Sequence, residues 1–596
     1  MTANDQQNTL GLPADGLSKR RRRIVFGVST GLFLLALALP LWMQYRQMGR
    51  FDSYFSDMFD SLRVVYAGWI KRPAMTLGRQ KVGIALWTMM LVVAGRLLPR
   101  KKHIMQWTIN ILLVYMCVLA YHNECWKLTR SMVQKQYIQF WNVYHYYFGS
   151  KYFDEMGYFY QYAYTLKADA EGGHYLTHIQ SVNDLIHYER KSRAEIIKML
   201  EGRNDFTPER WEQFKQEMQH YLQLTHRNRW HMALLDHGYN GTPFWNSVGA
   251  ALANQFPLTE KNSRIFVLSL DQIFLLITFI VVAIVFGFRW GVVSATTFLI
   301  LFINQLYTVA GFIRYDWFCA TIIGFCLFHK KYYKLSAPFF AYATMARIFP
   351  ALFLLGPGIK WLIDWIRNKK MDRRLFTMFV LFVLCCAIGF GIGTLNRHGL
   401  NAWKQFYKNI RQHTALHYLG PKRIGLKHLF VDDLSTPDII NDYRRKSFKK
   451  QRWMWYGAAT LMGAMFFLVI LRRSRSDSFI LGLLFIFTVL VLSRYYWALM
   501  ILLFLLQAHD RSRWRQAYAD VLMLMMVPLY YLFYWQMRNN YASYMTATWV
   551  LLGLFVYLSV SYLIEDFFVA LDWWRSRRGP ARLPTGEQTS GDQPAT

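Results

Sequence analysis

Apolar runs about as long as a bilayer is thick, divided by short basic turns, constrain this chain more than any other feature. The stretch from Ile24 to Met43 is almost wholly apolar and follows an unbroken basic cluster, Lys19 to Arg23. A hydrocarbon core about 30 Å thick takes roughly 20 helical residues, so the recurrence of such runs predicts a polytopic membrane protein. The first run is expected to be an uncleaved helix rather than a signal peptide, because its polar leader is long and further spans follow. Hydrophobic residues make up 54% of the 596, yet mean hydropathy is only +0.11, so a good part of the chain lies in water. The formal charge of +33 does not point to nucleic acid: much of the Lys and Arg punctuates the apolar runs, as the positive-inside rule expects. The six cysteines show no metal-ligand spacing and read as core or lipid-facing residues.

The charge pattern then orders the chain. Residues 1–23 read as a disordered basic tail in the cytoplasm, and 24–121 as N-terminal transmembrane helices with a first outer loop. Residues 122–262 form an extracytoplasmic insert, 263–394 the central transmembrane helices and 395–451 a second extracytoplasmic loop. Residues 452–571 complete the transmembrane set, and 572–596 form a cytoplasmic tail. Spans are expected near 24–43, 82–98, 104–121, 264–287, 290–309, 316–329, 375–394, 453–471, 478–491, 495–508, 516–534 and 546–563. Two more short spans fit 335–366, broken where Pro350 interrupts helical hydrogen bonding. The expected fold is all-α, with about 12–14 transmembrane helices, a largely helical insert and both termini cytoplasmic, in the inner (plasma) membrane. The loop 395–451 is itself basic; either it is an outer loop that binds an anion or one span is surplus.

The insert has its own grammar. Its stretch 183–225 is charged and helical in pattern, with Thr207 as cap and Pro208 at a first helical position. Two segments are aromatic-rich with concentrated polar groups: NVYHYYFGSKYFDEMGYFY from Asn142 to Tyr160, and DHGYNGTPFW from Asp236 to Trp245. Such faces suit carbohydrate rings, or equally an interfacial aromatic belt.

Polar groups are costly at membrane depth, so their placement is informative. In this topology Asp52, Asp57, Asp60, Asp154, Glu155, Asp236, His237, Arg314, Asp316, Arg347, Arg397, His398, His413, His417, Arg494, Tyr495 and Tyr496 gather on the outer face. An arginine fork holds a phosphate bidentately and a carboxylate can take a proton from an acceptor hydroxyl, which together suggest transfer from a phosphorylated lipid. The plainer alternatives are a mutual Arg314–Asp316 pair, a helix cap at Arg347 and ordinary surface acids at Asp154 and Glu155. Asp271, about two turns inside a span, is expected to make a structural hydrogen bond. A divalent cation among the outer acids is conceivable chemistry, but no ligand spacing supports one.

The pattern resembles the GT-C superfamily of integral-membrane glycosyltransferases, of the polyprenyl-phosphate-dependent mannosyl- and arabinofuranosyltransferase type. AYATMARIFPALFLLGPGIKW (341–361) is similar to that family's small-residue helix, basic residue, proline and apolar return. NVYHYYFGSKY (142–152) is similar to the segment after its early outer-loop aspartate. The resemblance implies a GT-C-like bundle that moves a sugar from a polyprenyl-phosphate donor to an extracytoplasmic glycan, lipid or protein acceptor, among membrane lipids. It places Arg347 near the lipid phosphate, with Arg314 and Asp316 lining the same cavity. The family's aspartate falls on Asn142, which cannot take a proton, so the catalytic role passes to Asp154, Glu155 or Asp52. Asn142, Asp236, His237 and Arg494 join the substrate-binding set. A transporter or flippase of a lipid-linked or small anionic substrate, and a non-catalytic scaffold in an envelope-assembly complex, are the competing expectations.

Overall fold

The computed structural model describes residues 19–48, 54–67, 77–99, 101–301, 308–417, 423–431, 441–506, 512–537 and 540–577. About 80% of it is helical. Among the described residues nine helices are long and apolar enough to cross a membrane, and three shorter apolar helices, Phe288–Ile300, Asp316–His329 and Arg494–Leu505, accompany them. The chain is therefore an all-α multi-pass membrane protein. The expected spans near 24–43, 82–98, 104–121, 264–287, 375–394, 453–471, 516–534 and 546–563 all coincide with long apolar helices. Lipid exposure is written on their outer faces: Ile284 is 76% exposed, Leu276 62% and Val383 63%, with no polar group nearby in sequence to recommend them to water.

The ends of the chain pack together. Helix Lys19–Met48 lies along Asn540–Arg577, and Leu77–Leu97 lies along Arg513–Met537. The second contact encloses a charge pair. Arg96 meets Asp520 through Nη2 to Oδ1 at 3.1 Å and donates from Nη1 to Gln516 at 2.7 Å, and its guanidinium lies 4.4 Å from the Trp290 ring. In the centre, Tyr333–Arg347 packs between Asp316–His329 and Arg373–Ile392. Helix Arg373–Ile392 starts where the Asp372 carboxylate accepts from the amides of Arg374 and Leu375 at 3.0 and 3.2 Å, a side-chain N-cap. The 12-residue segment Arg494–Leu505 is a 3-10 helix; at about 2.0 Å rise per residue rather than 1.5 it spans more of the bilayer than its length suggests.

Several boundaries differ from expectation. Helix Asn441–Ile470 begins inside the loop 395–451, and Asn540–Arg577 runs on past 571. The same loop carries the helix Leu400–His417, which lies on the insert instead of crossing: Asn409 donates to the Tyr239 carbonyl at 2.7 Å and accepts from Tyr188 at 2.8 Å. Within 183–225 the helical pattern is interrupted, because Ser181–Asp184 and Glu189–Ser192 form an antiparallel hairpin. Its turn is pinned by the buried Asp184 carboxylate, which accepts from the Ile186 amide and from Lys191 Nζ. Thr207 caps helix Pro208–Leu224 as its sequence predicts.

The aromatic segment 142–160 is neither a sugar platform nor an interfacial belt. Tyr144, Tyr147, Tyr152 and Tyr158 are fully buried with Tyr162, Tyr221 and Trp230 as the core of the insert, packed edge-to-face and offset. One buried ion pair, Lys151 to Glu217 at 2.5 Å, crosses that core, and Tyr152 donates to the second Glu217 oxygen at 3.0 Å.

Removing one partner of the Arg96–Asp520 pair leaves a buried charge uncompensated, at a cost of about 3–5 kcal/mol. Asp520→Ala is therefore expected to lower the thermal midpoint of the detergent-solubilised protein sharply. The Arg96→Met, Asp520→Leu double variant should recover most of that loss, and a double variant as unstable as the single one would contradict the assignment.

Candidate functional site

The site is built around two places where helices give way to irregular backbone. Helix Tyr333–Arg347 ends at Ile348, whose φ of 60° and ψ of −58° fall in a sparsely populated γ-turn region. Pro350 follows, without an amide hydrogen to offer, and the chain turns through 3-10 geometry over Phe349–Leu354. Opposite it, the segment before Asp316–His329 has positive φ at Ala310 (58°) and Ile313 (35°). Three non-glycine residues in strained backbone thus flank one location, a pattern that concentrates at functional sites.

Irregular backbone at membrane depth must find hydrogen bonds inside the protein. Asp271, from the span Lys261–Phe286, supplies two: its oxygens accept from the amides of Arg314 and Tyr315, both at 2.8 Å. Gln139 donates its amide to the Ala310 carbonyl at 2.9 Å, and the Asn142 side-chain oxygen accepts from the Phe312 amide. Asp271 is structural, as its sequence position suggested. Asn142, where the GT-C pattern places an acid, is a buried clamp on this loop.

That clamp positions the polar cluster. Asp316 is buried at a helix N-terminus, and its Oδ2 accepts from Trp245 Nε1 at 2.8 Å and Tyr342 hydroxyl at 2.7 Å. Among the described residues its Oδ1 has no hydrogen-bond partner, and neither do Nε and Nη2 of Arg347, which acts electrostatically on the same carboxylate. The Arg314 guanidinium lies 4.4 Å from the Tyr495 ring centre and 5.1 Å from that of Tyr146; Arg347 lies 5.5 Å from Tyr146. Arg423 arrives from the loop 395–451, on a two-residue strand Arg423–Ile424 paired with Leu492–Ser493, and donates to Ser493 Oγ at 2.7 Å. Arg314, Arg347 and Arg423 all act on the Tyr495 hydroxyl, which itself lies 3.0 Å from that of Tyr496.

The insert closes one flank. His145 contacts the Trp141 carbonyl through Nδ1 at 3.0 Å and the Tyr162 hydroxyl through Nε2 at 3.1 Å. A carbonyl only accepts, so Nδ1 carries the proton and neutral Nε2 accepts from the tyrosine. Burial, against the pull of Asp236, holds this imidazole below its usual pKa. His237 is likewise lowered by burial; it stacks on Tyr188 at 5.4 Å and meets His413 edge-on at 5.7 Å. Asp236 and His237 thus border the cluster through His145.

Other expected residues lie elsewhere. Glu155 pairs with Arg210 at 2.8 Å, and Arg210 also donates to the Lys151 carbonyl at 2.6 Å; burial nonetheless raises the Glu155 pKa. Asp154 is exposed and accepts from the Arg397 amide at 3.2 Å. No bond links either acid to Arg314, Asp316 or Arg347 among the described residues, so the structure does not bring the two acids expected to be catalytic together with that cluster. Arg494 donates to the Tyr544 hydroxyl at 3.2 Å, on the C-terminal helix, while its neighbours Tyr495 and Tyr496 fill the cluster. Asp52 lies outside the described residues. Arg423, Tyr342, Trp245 and His145 were not named as site residues from sequence, although His145, Trp245 and Tyr342 lie in the segments 142–160, 236–245 and 341–361 picked out there, and Arg423 in the basic loop 395–451. Among the described residues no three His, Cys, Asp or Glu are grouped to hold a metal ion.

The insert, the Ile348 bend and the loop after Ile392 meet at one end of the bundle: Thr242 Oγ1 donates to the Met345 carbonyl at 2.6 Å, and His398 contacts the Phe153 carbonyl at 3.1 Å. No family model, curated protein or solved structure matches this chain.

Ile348 is 55% exposed, so its conformation is not repaid by burial of its side chain. Strain of this kind costs about 1–3 kcal/mol, and glycine removes it at about 0.5–1 kcal/mol of chain entropy. Ile348→Gly is expected to raise the thermal midpoint; a clear fall would show that the bend stores no strain.

Proposed function

We propose that this chain is a GT-C-type membrane glycosyltransferase, moving a sugar from a polyprenyl-phosphate donor to a glycan, lipid or protein acceptor on the extracytoplasmic face of the plasma membrane. The observation that carries this reading is the gathering of Arg314, 4.4 Å from the Tyr495 ring, Arg347, over the Tyr146 ring that Arg314 shares, and Arg423, held at Ser493 beside that tyrosine, next to a carboxylate with one oxygen that has no partner among the described residues. Guanidinium groups crowded in a site of low dielectric repel one another, and an anion between them turns that repulsion into binding. A phosphate is the anion that suits planar forks and phenolic donors together.

The chemistry follows from the two sides of the cluster. Asp316 is held through Oδ2 by Trp245 and Tyr342, which leaves Oδ1 oriented to accept a proton from an acceptor hydroxyl. As that proton leaves, the acceptor oxygen forms a bond to the anomeric carbon of the donor. The bond from that carbon to the phosphate oxygen breaks, and the electron pair departs with the lipid phosphate. Arg347, whose Nε and Nη2 are unpartnered, stabilises the growing charge. In this reading Asp316 takes the role that the resemblance passed to Asp154, Glu155 or Asp52. A flippase would use the cationic pocket but has no need of the acid, so Asp316 separates the two activities.

Arg347→Ala is expected to abolish binding of a polyprenyl phosphate, followed by native mass spectrometry of the purified protein. Asp316→Asn should keep that binding and lose glycosyl transfer by about 100-fold or more, measured with a radiolabelled polyprenyl-phosphate sugar in membranes. Transfer at the wild-type rate by Asp316→Asn would overturn the catalytic assignment.

A further inference from the structure

A second site lies in the insert, away from the arginine–tyrosine cluster. A cleft of about 580 Å³ is walled by Tyr164, Phe206 and Trp211 and rimmed by Lys167, Arg203 and Arg397. Its size falls within the range of small-molecule sites, about 300–1,000 Å³. The indole of Trp211 is fixed by donation to Glu171 at 2.8 Å, and Lys167 lies 5.2 Å from its ring centre. The carboxylate in the cleft is already committed: Asp205 accepts from the Tyr164 hydroxyl and from Arg203 Nε, both at 2.6 Å. Burial would raise this acid, but those bonds outweigh it and hold the pKa below the ordinary value, so it stays ionised and serves mainly to anchor Arg203. Arg397, exposed, donates to the Asp205 carbonyl at 2.6 Å. With Asp205 balancing Arg203, and Glu171 3.9 Å from Lys167, the exposed Arg397, whose guanidinium donates to a backbone carbonyl, is the charge best placed to meet an occupant.

We propose that this cleft binds an anionic saccharide, such as a uronic-acid-bearing glycan, and serves as an acceptor-recognition subsite. Aromatic faces stack on the C–H faces of sugar rings, and cations at the rim meet carboxylates. Its position agrees with this role. Arg397 follows directly on the lipid-facing helix Arg373–Ile392, and the neighbouring Leu395 and Leu400 are 82% and 63% exposed, so the cleft opens close to the membrane interface. The proposal rests on the transferase reading for the word acceptor, but the binding it asserts is measured separately.

The test is isothermal titration of full-length protein in detergent with an oligogalacturonate and with a maltooligosaccharide of equal length. The oligogalacturonate is expected to bind and the neutral chain to bind at least about tenfold more weakly. Arg397→Gln, at an exposed position that spares the core, should weaken oligogalacturonate binding about tenfold, as should Trp211→Ala. Arg347→Ala should leave it unchanged whether or not that variant transfers sugar. Equal binding of the neutral chain, or no binding of either, would overturn the proposal. So would a loss confined to Arg347→Ala, which would move the saccharide to the arginine–tyrosine cluster.

Discussion

The carboxylate of Asp271 is the contact on which the polar end of this molecule depends. A chain that leaves helical geometry inside a membrane must satisfy its amides without water. The segment from Ala310 to Tyr315 does so by directing the amides of Arg314 and Tyr315 onto one buried acid, each at 2.8 Å. The clamp is completed from the insert by Gln139 and Asn142. Because the segment is held from both sides, its strained residues Ala310 and Ile313 persist, and Arg314 and Asp316 face the break after Arg347. An acid deep in a span is therefore the hinge between the membrane helices and the insert, and the cluster inherits its geometry from that junction.

Much of the transmembrane architecture was legible in the sequence because hydropathy and basic punctuation are local signals. The runs starting at Ile24 and at Leu375 can be read without knowing what they touch, and the Arg347–Pro350 break announced itself through proline's missing amide hydrogen. What depended on long-range pairing was not legible. Arg423 reaches the cluster only because a two-residue strand pairs with Leu492–Ser493, a contact that no periodicity records. The tyrosines of 142–160 carry the composition of a sugar platform, yet Tyr144, Tyr147, Tyr152 and Tyr158 are fully buried, and composition does not say which way a ring faces. The pairing of Glu155 was illegible for the same reason: its partner Arg210 lies on a helix more than fifty residues away, and only the fold brings the two together.

The insert explains how a membrane bundle can hold a buried polar site with little strain elsewhere. Its core is aromatic, and several of its buried polar groups are held by specific bonds: Lys151 by Glu217, Tyr144 by Thr165, Tyr221 by the Phe140 carbonyl. A π-helical turn over Val143–Phe148 shifts register within the helix carrying His145 and Tyr146. Such turns re-aim side chains that a regular helix would present differently. Here the outcome is that Tyr146 faces Arg314 and Arg347 with its ring while its hydroxyl donates to Asn240 at 2.7 Å. One side chain of the insert is therefore in contact with both arginines and with the turn that leads into Pro243–Gln255.

The two polar regions at this end differ in the way their charges are treated, and that difference argues for different partners. In the insert cleft, Asp205 neutralises Arg203 in the protein itself and Glu171 lies 3.9 Å from Lys167, while Arg397 stands at an exposed rim where solvent screens it. Such a rim selects a ligand by charge without needing to be filled. At the membrane junction, by contrast, Arg347 keeps two nitrogens and Asp316 one oxygen buried and unpartnered. Buried polar atoms left in this state cost about 1–3 kcal/mol each, more when charged. A fold that carries that cost at three atoms around one point, while satisfying the surrounding backbone through Asp271, is arranged for a group that supplies both an acceptor for the guanidinium and a proton for the acid. A phosphate bearing a sugar, met by an alcohol, brings both at once; a lipid anion alone brings only the first.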